Sequence, residues 1–162
     1  MIGKKMAEAL NAQMNAEFYN SRLYLSMATY FHSTNMDGAM KWMEAQAREE
    51  TGHAMKLYEH LKERNARLLL SAIDAPPTEW DSPLAAFEAA YGHECGVATR
   101  FDELMALATQ EKDNATAGVL QWFVDEQVEE MASTDAVVQK LKMAQDAPGG
   151  LPMVDRLLGE RE

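Results

Sequence analysis

Apolar residues recur at alternating steps of three and four along most of the chain, which is the spacing of one face of an α-helix. Turn-forming and helix-breaking residues interrupt the pattern at a few points only. The last periodic stretch is short and amphipathic, follows Gly149-Gly150, and has Pro152 in its first turn. The pattern predicts helices at about 4–32, 37–64, 84–111, 115–144 and 151–159.

The lengths of the connections predict how the helices are arranged. Short turns join the first helix to the second and the third to the fourth, so each pair is expected to be antiparallel. Residues 65–83 instead form a long connection that contains Pro76-Pro77. About 19 extended residues reach roughly 60 Å, whereas a helix of about 28 residues is roughly 42 Å long, so the second and third helices can run parallel. We therefore predict one all-α domain over residues 1–162, a four-helix bundle with one long crossover and a short fifth helix.

The apolar row of each of the first three helices contains one glutamate near its middle, and the polar residues of the fourth helix also fall near its middle. In the fourth helix there are two adjacent candidate rows, one through Glu126 and Glu130 and the other through Gln127. The other three rows are Leu10, Met14, Glu17, Ser21, Tyr24, Ala28, Phe31; Met40, Met43, Ala47, Glu50, Ala54, Leu57, Leu61; and Leu84, Phe87, Tyr91, Glu94, Ala98, Phe101, Met105, Ala108.

These glutamates need a countercharge if they are buried together. A single glutamate on an apolar face is most simply explained by a side chain that reaches solvent. The same feature in four helices of one bundle is different, because each unpaired buried carboxylate costs several kcal/mol. No lysine or arginine occupies the central positions of these rows. The sequence therefore predicts a bound cation.

His53 indicates which cation. Glu50 and His53 are three residues apart and share a helical face. Di-iron carboxylate bundles combine one glutamate from each of two helices with Glu-x-x-His motifs from the other two. Glu17, Glu94 and the Glu50/His53 pair match this description, but the fourth helix has Gln127-Val128-Glu129-Glu130 where a second motif would stand. His32, His60 and His93 are interpreted as surface or hydrogen-bonded residues.

The charges suit two divalent ions. Glu17, Glu50, Glu94 and Glu130 supply four negative charges, which two ferrous ions neutralise. Oxidation to two ferric ions leaves an excess of positive charge, which favours bridging oxide or hydroxide and release of product. Oxygen ligands with one imidazole suit iron or manganese better than a structural zinc ion.

Composition excludes several other partners. The formal net charge of -11 repels phosphate backbones and attracts cations, so nucleic acid is not expected as a partner. No stretch approaches the roughly 18 apolar residues of a membrane span, and the N-terminal segment has no signal-like apolar region. We expect a cytoplasmic protein without membrane contact. The single cysteine, Cys95, agrees with a reducing compartment.

Four segments carry a resemblance to a known family. NAQMNAEFYNSRLYL, AREETGHAMKLYEHL, YGHEC and LQWFVDEQVEEM occur in the order and spacing of prokaryotic non-haem ferritins, which belong to the ferritin-like di-iron carboxylate superfamily. The resemblance covers nearly the whole chain. It implies a homo-oligomeric hollow shell of 24 subunits that takes up Fe(II), oxidises it with dioxygen or peroxide, and stores a ferric mineral.

The resemblance also implies roles for individual residues. It assigns Glu17, Glu50 and His53 to one iron, and Glu50 bridges to a second iron held by Glu94 and Glu130 with Gln127 close by. It assigns a redox or hydrogen-bonding role beside the irons to Tyr24. A third, weaker iron position is implied at Glu49, Glu126 and Glu129, whose ordinary interpretation is a solvated helix face. Trp122 lies one turn before Glu126, where an aromatic residue is at least as well explained by simple core packing.

Particular residues and the fifth helix distinguish this sequence from two related groups of proteins. The haem-binding bacterioferritins carry the second Glu-x-x-His motif, and their haem-ligating methionine directly follows the glutamate of the second helix, where this chain has Thr51. Haem is therefore not expected as a cofactor. The short fifth helix resembles the one at the fourfold axis of ferritin shells and favours ferritin over the twelve-subunit DNA-protecting relatives.

Two other functions are compatible with the pattern. One is a di-iron enzyme that acts on peroxide or on an organic substrate, because the fold supports many chemistries. The chain offers no rubredoxin-like cysteine pairs and no added substrate domain. The other is a helical interaction protein without metal, whose core acids set the register of the helices.

Overall fold

A computed structural model describes residues 1–161 of the chain, so Glu162, included in the predicted domain, lies outside the described residues. The described part consists of helices and their connections, which confirms the predicted all-α class. No helix in this part is long and apolar enough to cross a membrane. The helices are α1 (Lys4–Ser33), α2 (Asp37–Glu63), α3 (Pro83–Gln110), α4 (Asn114–Ala144) and α5 (Gly150–Leu158).

Local chemistry explains where α3 and α4 begin. The Ser82 hydroxyl accepts a hydrogen bond from the backbone N–H of Ala85, and Pro83 occupies the first helical position of α3, where its missing N–H costs nothing. The Asp113 carboxylate accepts from the N–H of Thr116 at the start of α4. Both signals stand in the sequence directly before the periodic pattern.

Three helices end in the same way. Asn35, Asn65 and Lys112 each follow a helix with a positive φ, of 59°, 54° and 56° respectively. In each case the next residue donates its backbone N–H to a carbonyl five residues back, as in a Schellman motif. The reversals at Asn35 and Lys112 make the α1–α2 and α3–α4 turns short, whereas the one at Asn65 leads into the crossover at 64–82, the only long connection among residues 1–161.

Contacts between helices show their directions. Phe31 near the end of α1 packs on Phe87 near the start of α3, with 5.4 Å between ring centroids, so these two helices are antiparallel. Trp42 near the start of α2 contacts the same Phe87 at 5.2 Å, so α2 and α3 run parallel, as the long connection predicts. Phe101 of α3 stacks on Phe123 of α4 with 4.6 Å between centroids.

Two asparagines of α1 hold the crossover in place. The Asn11 amide donates to the Arg67 carbonyl at 2.9 Å, and its oxygen accepts from the Leu69 N–H at 2.8 Å. One turn later, Asn15 donates to the Leu69 carbonyl and accepts from the Ser71 N–H. Because these side chains supply both a donor and an acceptor, they satisfy backbone groups that the crossover cannot pair within itself.

The apolar core is divided into two clusters by a polar layer. One cluster surrounds Tyr24, Phe31 and Phe87 and includes residues of α5, and the other surrounds Phe101 and Phe123. Between them, the middle of each long helix contributes buried polar side chains: Glu17, Asn20, Gln46, Glu50, His53, Glu94, Gln127 and Glu130. The bundle thus places the predicted central acids in one layer.

The row predicted for α3 is wrong at every second position. Tyr91 is exposed and Ala98 and Met105 are half-buried, whereas Ala90, Val97 and Leu104 are buried. The true face runs through Ala86, Phe87, Ala90, Glu94, Val97, Phe101, Leu104 and Ala108. Both alternatives are apolar, so the sequence pattern did not discriminate between two neighbouring rows. In α4 the buried face takes residues from both candidate rows.

Candidate metal centre

Three predicted ligands meet in a group that can hold one cation. Glu17 of α1 and Glu50 and His53 of α2 are buried, and each offers an atom within 4.8 Å of the others. His53 Nδ1 lies 3.5 Å from Glu50 Oε2 and 3.9 Å from Glu17 Oε2. Ligand atoms each about 2 Å from one ion are separated by distances of this size. The turn of α2 between Glu50 and His53 aligns the two side chains on one face.

A second group shares His53. It contains Glu126 and Glu130 of α4, which approach His53 from the facing helix. Glu130 is buried, and its Oε2 accepts a 2.7 Å hydrogen bond from Gln46. His53 therefore stands between two sets of carboxylates.

Two buried polar atoms in these groups have no hydrogen-bond partner among residues 1–161. They are His53 Nδ1 and Glu130 Oε1. Such orphaned atoms are rare and costly in a folded interior. Because a lone pair on each atom is free to coordinate an ion, the donor set fits a divalent cation with oxygen and imidazole ligands.

Glu94 and Gln127 are near these groups but belong to neither. The Tyr24 hydroxyl donates to Glu94 Oε1, and Gln127 Nε2 donates to Glu94 Oε2 at 2.9 Å. Gln127 thus presents its amide nitrogen to the carboxylate. The resemblance assigned a second iron to Glu50, Glu94 and Glu130. Among the described residues these three carboxylates do not form one metal-holding group, because Glu130 faces His53 and Glu126.

The residues assigned to the third iron position are also only partly together. Glu126 belongs to the group with His53 and Glu130. Glu49 is exposed, and its Oε2 lies 2.8 Å from the Arg161 guanidinium. Glu129 is exposed and is in neither group within the described chain.

Burial of several acids in one layer raises their pKa values. Burial, then the Glu50 charge, raises the pKa of Glu17 well above its ordinary value. Burial and the Glu94 charge raise the pKa of Glu50 to about 8 and that of Glu130 to about 7. A cation bound here replaces protons as the countercharge.

Three amide side chains that the hydrophobic pattern did not identify support the acids. Gln13 and Asn20 donate to Glu17 from one turn on either side, and Asn20 also reaches Glu50 Oε2 at 3.4 Å. Gln46, one turn before Glu50, donates to both Glu50 and Glu130. An amide three or four residues from a central glutamate is the signal that could have identified them.

His93 extends this support toward the surface. Its Nε2 is 2.8 Å from Asn20 Oδ1, and its ring lies edge-on to Tyr24. Burial, then the Arg100 charge, lowers the pKa of His93 to about 4, so a neutral ring donates this hydrogen bond to the amide. His60 likewise bonds to Thr116 at 2.9 Å. Both contacts agree with the hydrogen-bonded interpretation of these histidines.

Trp122 is not a core residue, contrary to its interpretation as simple core packing. Its side chain is 39% exposed and stands edge-on to His53, with 5.6 Å between ring centroids. The Lys56 ammonium lies 4.3 Å above the indole. Tyr24, in contrast, is fully buried, and burial with the Glu94 charge raises the pKa of its hydroxyl well above the ordinary value.

The fold and this layer together define a class: four-helix bundles with one crossover that carry a carboxylate and histidine cluster at their centre. A family model, the ferritin-like domain, matches residues 7–144. The chain belongs to the ferritin family.

Known relatives agree over the full length. The chain is 41% identical over 161 residues to a bacterial non-haem ferritin of Bacteroides fragilis, covering 99% of this chain and 100% of the relative. It is 37% identical over 161 residues to a bacterial non-haem ferritin of Staphylococcus saprophyticus, covering 99% of this chain and 96% of the relative. Among solved structures, an open-pore ferritin from the archaeon Archaeoglobus fulgidus superposes with a TM-score of 0.98 at 49% identity and covers 100% of both chains. The resemblance predicted from sequence is thereby confirmed.

Proposed function

We propose that this protein stores iron, and that it is a ferroxidase which oxidises Fe(II) within each subunit and delivers Fe(III) to a mineral inside a hollow shell. Ferritin membership and the ferritin fold support the storage role. The observation that carries the ferroxidase proposal is the buried group of Glu17, Glu50 and His53, in which the imidazole Nδ1 has no hydrogen-bond partner among the described residues.

In this proposal Fe(II) is the substrate, the chain supplies its ligands, and the protons that the oxidant takes up come from water. Glu17, Glu50 and His53 bind one Fe(II). Glu50 turns its second oxygen toward a further Fe(II) held by Glu94 and Glu130. Two Fe(II) ions lose two electrons, and dioxygen takes up two electrons and two protons to give hydrogen peroxide. Peroxide as oxidant takes two electrons and two protons and gives water.

The hydrogen bonds around Glu94 suit a centre that changes charge. Tyr24 and Gln127 both donate to this carboxylate in the metal-free geometry. When Glu94 turns an oxygen toward the metal, Tyr24 remains the nearest hydroxyl and can compensate the change in charge through its hydrogen bond. Gln127 contributes as a ligand only after its amide rotates to present oxygen.

A groove between α2 and α4 offers a route to the centre for cations. It has a volume of about 750 Å³ and reaches His53 from the surface. Its walls carry Glu49, Glu59, Glu63 and Glu126 with one lysine, Lys56. A groove whose charged residues are mostly negative concentrates cations. Entry of Fe(II) is therefore favoured over entry of anionic organic substrates.

Exposed apolar residues support assembly into a shell. Leu69, Leu70 and Ile73 on the crossover and Leu25 on α1 are at least partly open to solvent in the single chain. Apolar surface of this kind commonly marks an interface between subunits. We propose a homo-oligomer of 24 copies. The Archaeoglobus relative is described as an open-pore ferritin, and electron microscopy of this protein would show whether its shell is open or closed.

Stopped-flow absorbance tests the ferroxidase proposal. Mixing Fe(II) with the protein in air should give a rapid transient that Glu17→Ala and Glu50→Ala each slow by at least tenfold, because each variant removes a ligand. Glu8→Ala on the exposed face of α1 is the matched control and should behave as the parent protein. Equal rates in all four proteins would exclude oxidation at this centre.

Size and metal content, measured on one sample, discriminate the alternatives. A ferritin should run as a large assembly that retains ferric mineral after iron loading. Small assemblies that bind iron but form no mineral would instead indicate a di-iron enzyme acting on peroxide or an organic substrate. A protein that binds neither Fe(II) nor Zn(II) would leave only the interaction protein.

A further inference from the structure

Arg161, just beyond α5, is tied to the same layer as the candidate iron ligands. Its Nη2 lies 2.8 Å from Glu49 Oε2 and donates to Gln46 Oε1 at 3.0 Å. Its Nη1 reaches the Trp42 carbonyl at 3.4 Å, and its guanidinium lies 4.2 Å above the Trp42 ring. One arginine therefore meets three residues spaced along the inner length of α2.

These contacts hold the guanidinium in one place. Stacking on an indole and donation to three acceptors match the planar, forked geometry of arginine. Only 20% of the Arg161 side chain is exposed, against 43% for Glu49. The backbone N–H of Arg161 also bonds to the Leu158 carbonyl, so the residue continues the end of α5.

Gln46 connects Arg161 with the buried acids. Its oxygen accepts from Arg161, while its amide nitrogen donates to Glu50 Oε1 at 3.2 Å and to Glu130 Oε2 at 2.7 Å. Arg161 thus contacts Glu49 directly and is linked to the two deeper acids, Glu50 and Glu130, through the Gln46 amide.

We propose that Arg161 is a built-in counter-cation of the third iron position, which occupies Glu49 in the metal-free protein and must leave it when a third cation binds. This inference rests on the proposed function and adds to it that Glu49, which lines the groove together with His53 and Glu126, is a ligand of a third Fe(II). A carboxylate oxygen that pairs with a guanidinium at 2.8 Å is not free to bind a metal at the same time. The arginine therefore weakens the third position selectively and favours release of iron from it.

Anaerobic calorimetric titration with Fe(II) tests the proposal on the assembled protein. Arg161→Gln should bind the first two ions per chain as the parent does and the third about two- to fivefold more tightly, since partly exposed ion pairs are worth up to about that factor. Arg156→Gln, which removes a charge from the exposed side of α5, is the matched control and should leave all three affinities unchanged.

A double-mutant cycle shows whether the effect passes through Glu49. In a Glu49→Gln background, Arg161→Gln should no longer tighten the third ion, because the acid for which it competes is gone. Arg161→Lys keeps the positive charge but lacks the planar guanidinium. Its affinity for the third ion should therefore lie between those of the parent and Arg161→Gln. The ion pair between Arg161 and Glu49 and the binding of the third ion oppose each other. Arg161→Gln should therefore lower the melting temperature of the metal-free protein, in which the pair is formed, more than that of the iron-saturated anaerobic protein.

The outcomes separate this inference from the function on which it rests. If the parent binds no Fe(II), the proposed function falls and this inference falls with it. If the parent binds two tight ions but Arg161→Gln leaves the third unchanged, weaker or absent, only the role of Arg161 is overturned. If Arg161→Gln instead weakens the first two ions, Arg161 merely supports Gln46, which also overturns the proposal.

Discussion

The Asp155 carboxylate accepts a 2.8 Å hydrogen bond from the backbone N–H of Ala39, although the two residues are 116 positions apart. Ala39 lies in the first turn of α2, whose own N-cap, Met36, supplies no side-chain acceptor. The short helix α5 therefore caps a helix of the bundle. Gly38 makes this approach possible, because a Cβ at that position would lie 1.7 Å from the Asp155 carbonyl oxygen.

Removing the cap should loosen both helices. Asp155→Ala is expected to lower the free energy of unfolding by about 1–2 kcal/mol, since one N–H at the start of α2 loses its acceptor. Asp155→Asn keeps an oxygen in the same place and should recover most of the loss. Thermal melts of the metal-free protein would measure both, and an Asp155→Ala melt equal to that of the parent would show that the contact contributes nothing.

A methyl group at Gly38 should displace α5. Gly38→Ala is expected to lower the melting temperature and to make the segment after residue 149 accessible to protease, because the new Cβ cannot coexist with the Asp155 backbone. Gly92→Ala in α3 is the matched control, since a Cβ there meets nothing within 4 Å. The control should be neutral or should stabilise by about 0.5–1 kcal/mol. Equal protease resistance of the two variants would contradict the close approach.

Metal-free protein should lose stability as the pH rises. The pKa of Glu50 is raised from 4.5 to about 8, and that of Glu130 from 4.5 to about 7. Between about pH 4.5 and pH 8, the folded state therefore binds more protons than the unfolded chain. The free energy of unfolding therefore falls as the pH passes from about 4.5 to 8, by up to about 1.4 kcal/mol per pH unit for each such carboxyl. Melting temperatures at pH 6 and 8.5 would measure the loss.

Two controls belong to the pH experiment. Glu50→Gln cannot ionise, so its melting temperature should fall less over the same range. Saturating Zn(II) should stabilise the parent more at pH 8.5 than at pH 6, because the metal binds the deprotonated carboxylates. A melting temperature of the metal-free parent that rises from pH 6 to 8.5 would contradict the raised pKa values.

Lys112 stands where its backbone favours glycine. Its φ of 56° lies in the left-handed region, in which a side chain other than asparagine is strained. Lys112→Gly is expected to stabilise the protein by about 0.5–1 kcal/mol. Gly149, with a φ of 70°, offers the opposite test, and Gly149→Ala should destabilise. Urea melts would measure both, and a Lys112→Gly variant less stable than the parent would show that the lysine side chain matters more than its backbone.

The hydrophobic pattern predicted the five helices and their order because helical periodicity is a local property. It also placed Glu17, Glu50, His53 and Glu130 correctly on buried faces, since an acid in an apolar row is visible without any neighbour. The pattern failed for α3, where Tyr91 and Val97 stand in adjacent apolar rows and only packing against the other helices selects one of them.

What the sequence determined by itself is thus the set of helices, the long crossover and the central acids, because these follow from spacing along one chain. Only the tertiary structure showed that Gln46 donates hydrogen bonds to two of those acids and that Tyr24 and Gln127 donate to Glu94. It also showed that Asp155 and Arg161 form hydrogen bonds with residues of α2. These contacts join residues that are far apart in sequence. Their formation depends on the packed positions of whole helices, and no local pattern records those positions.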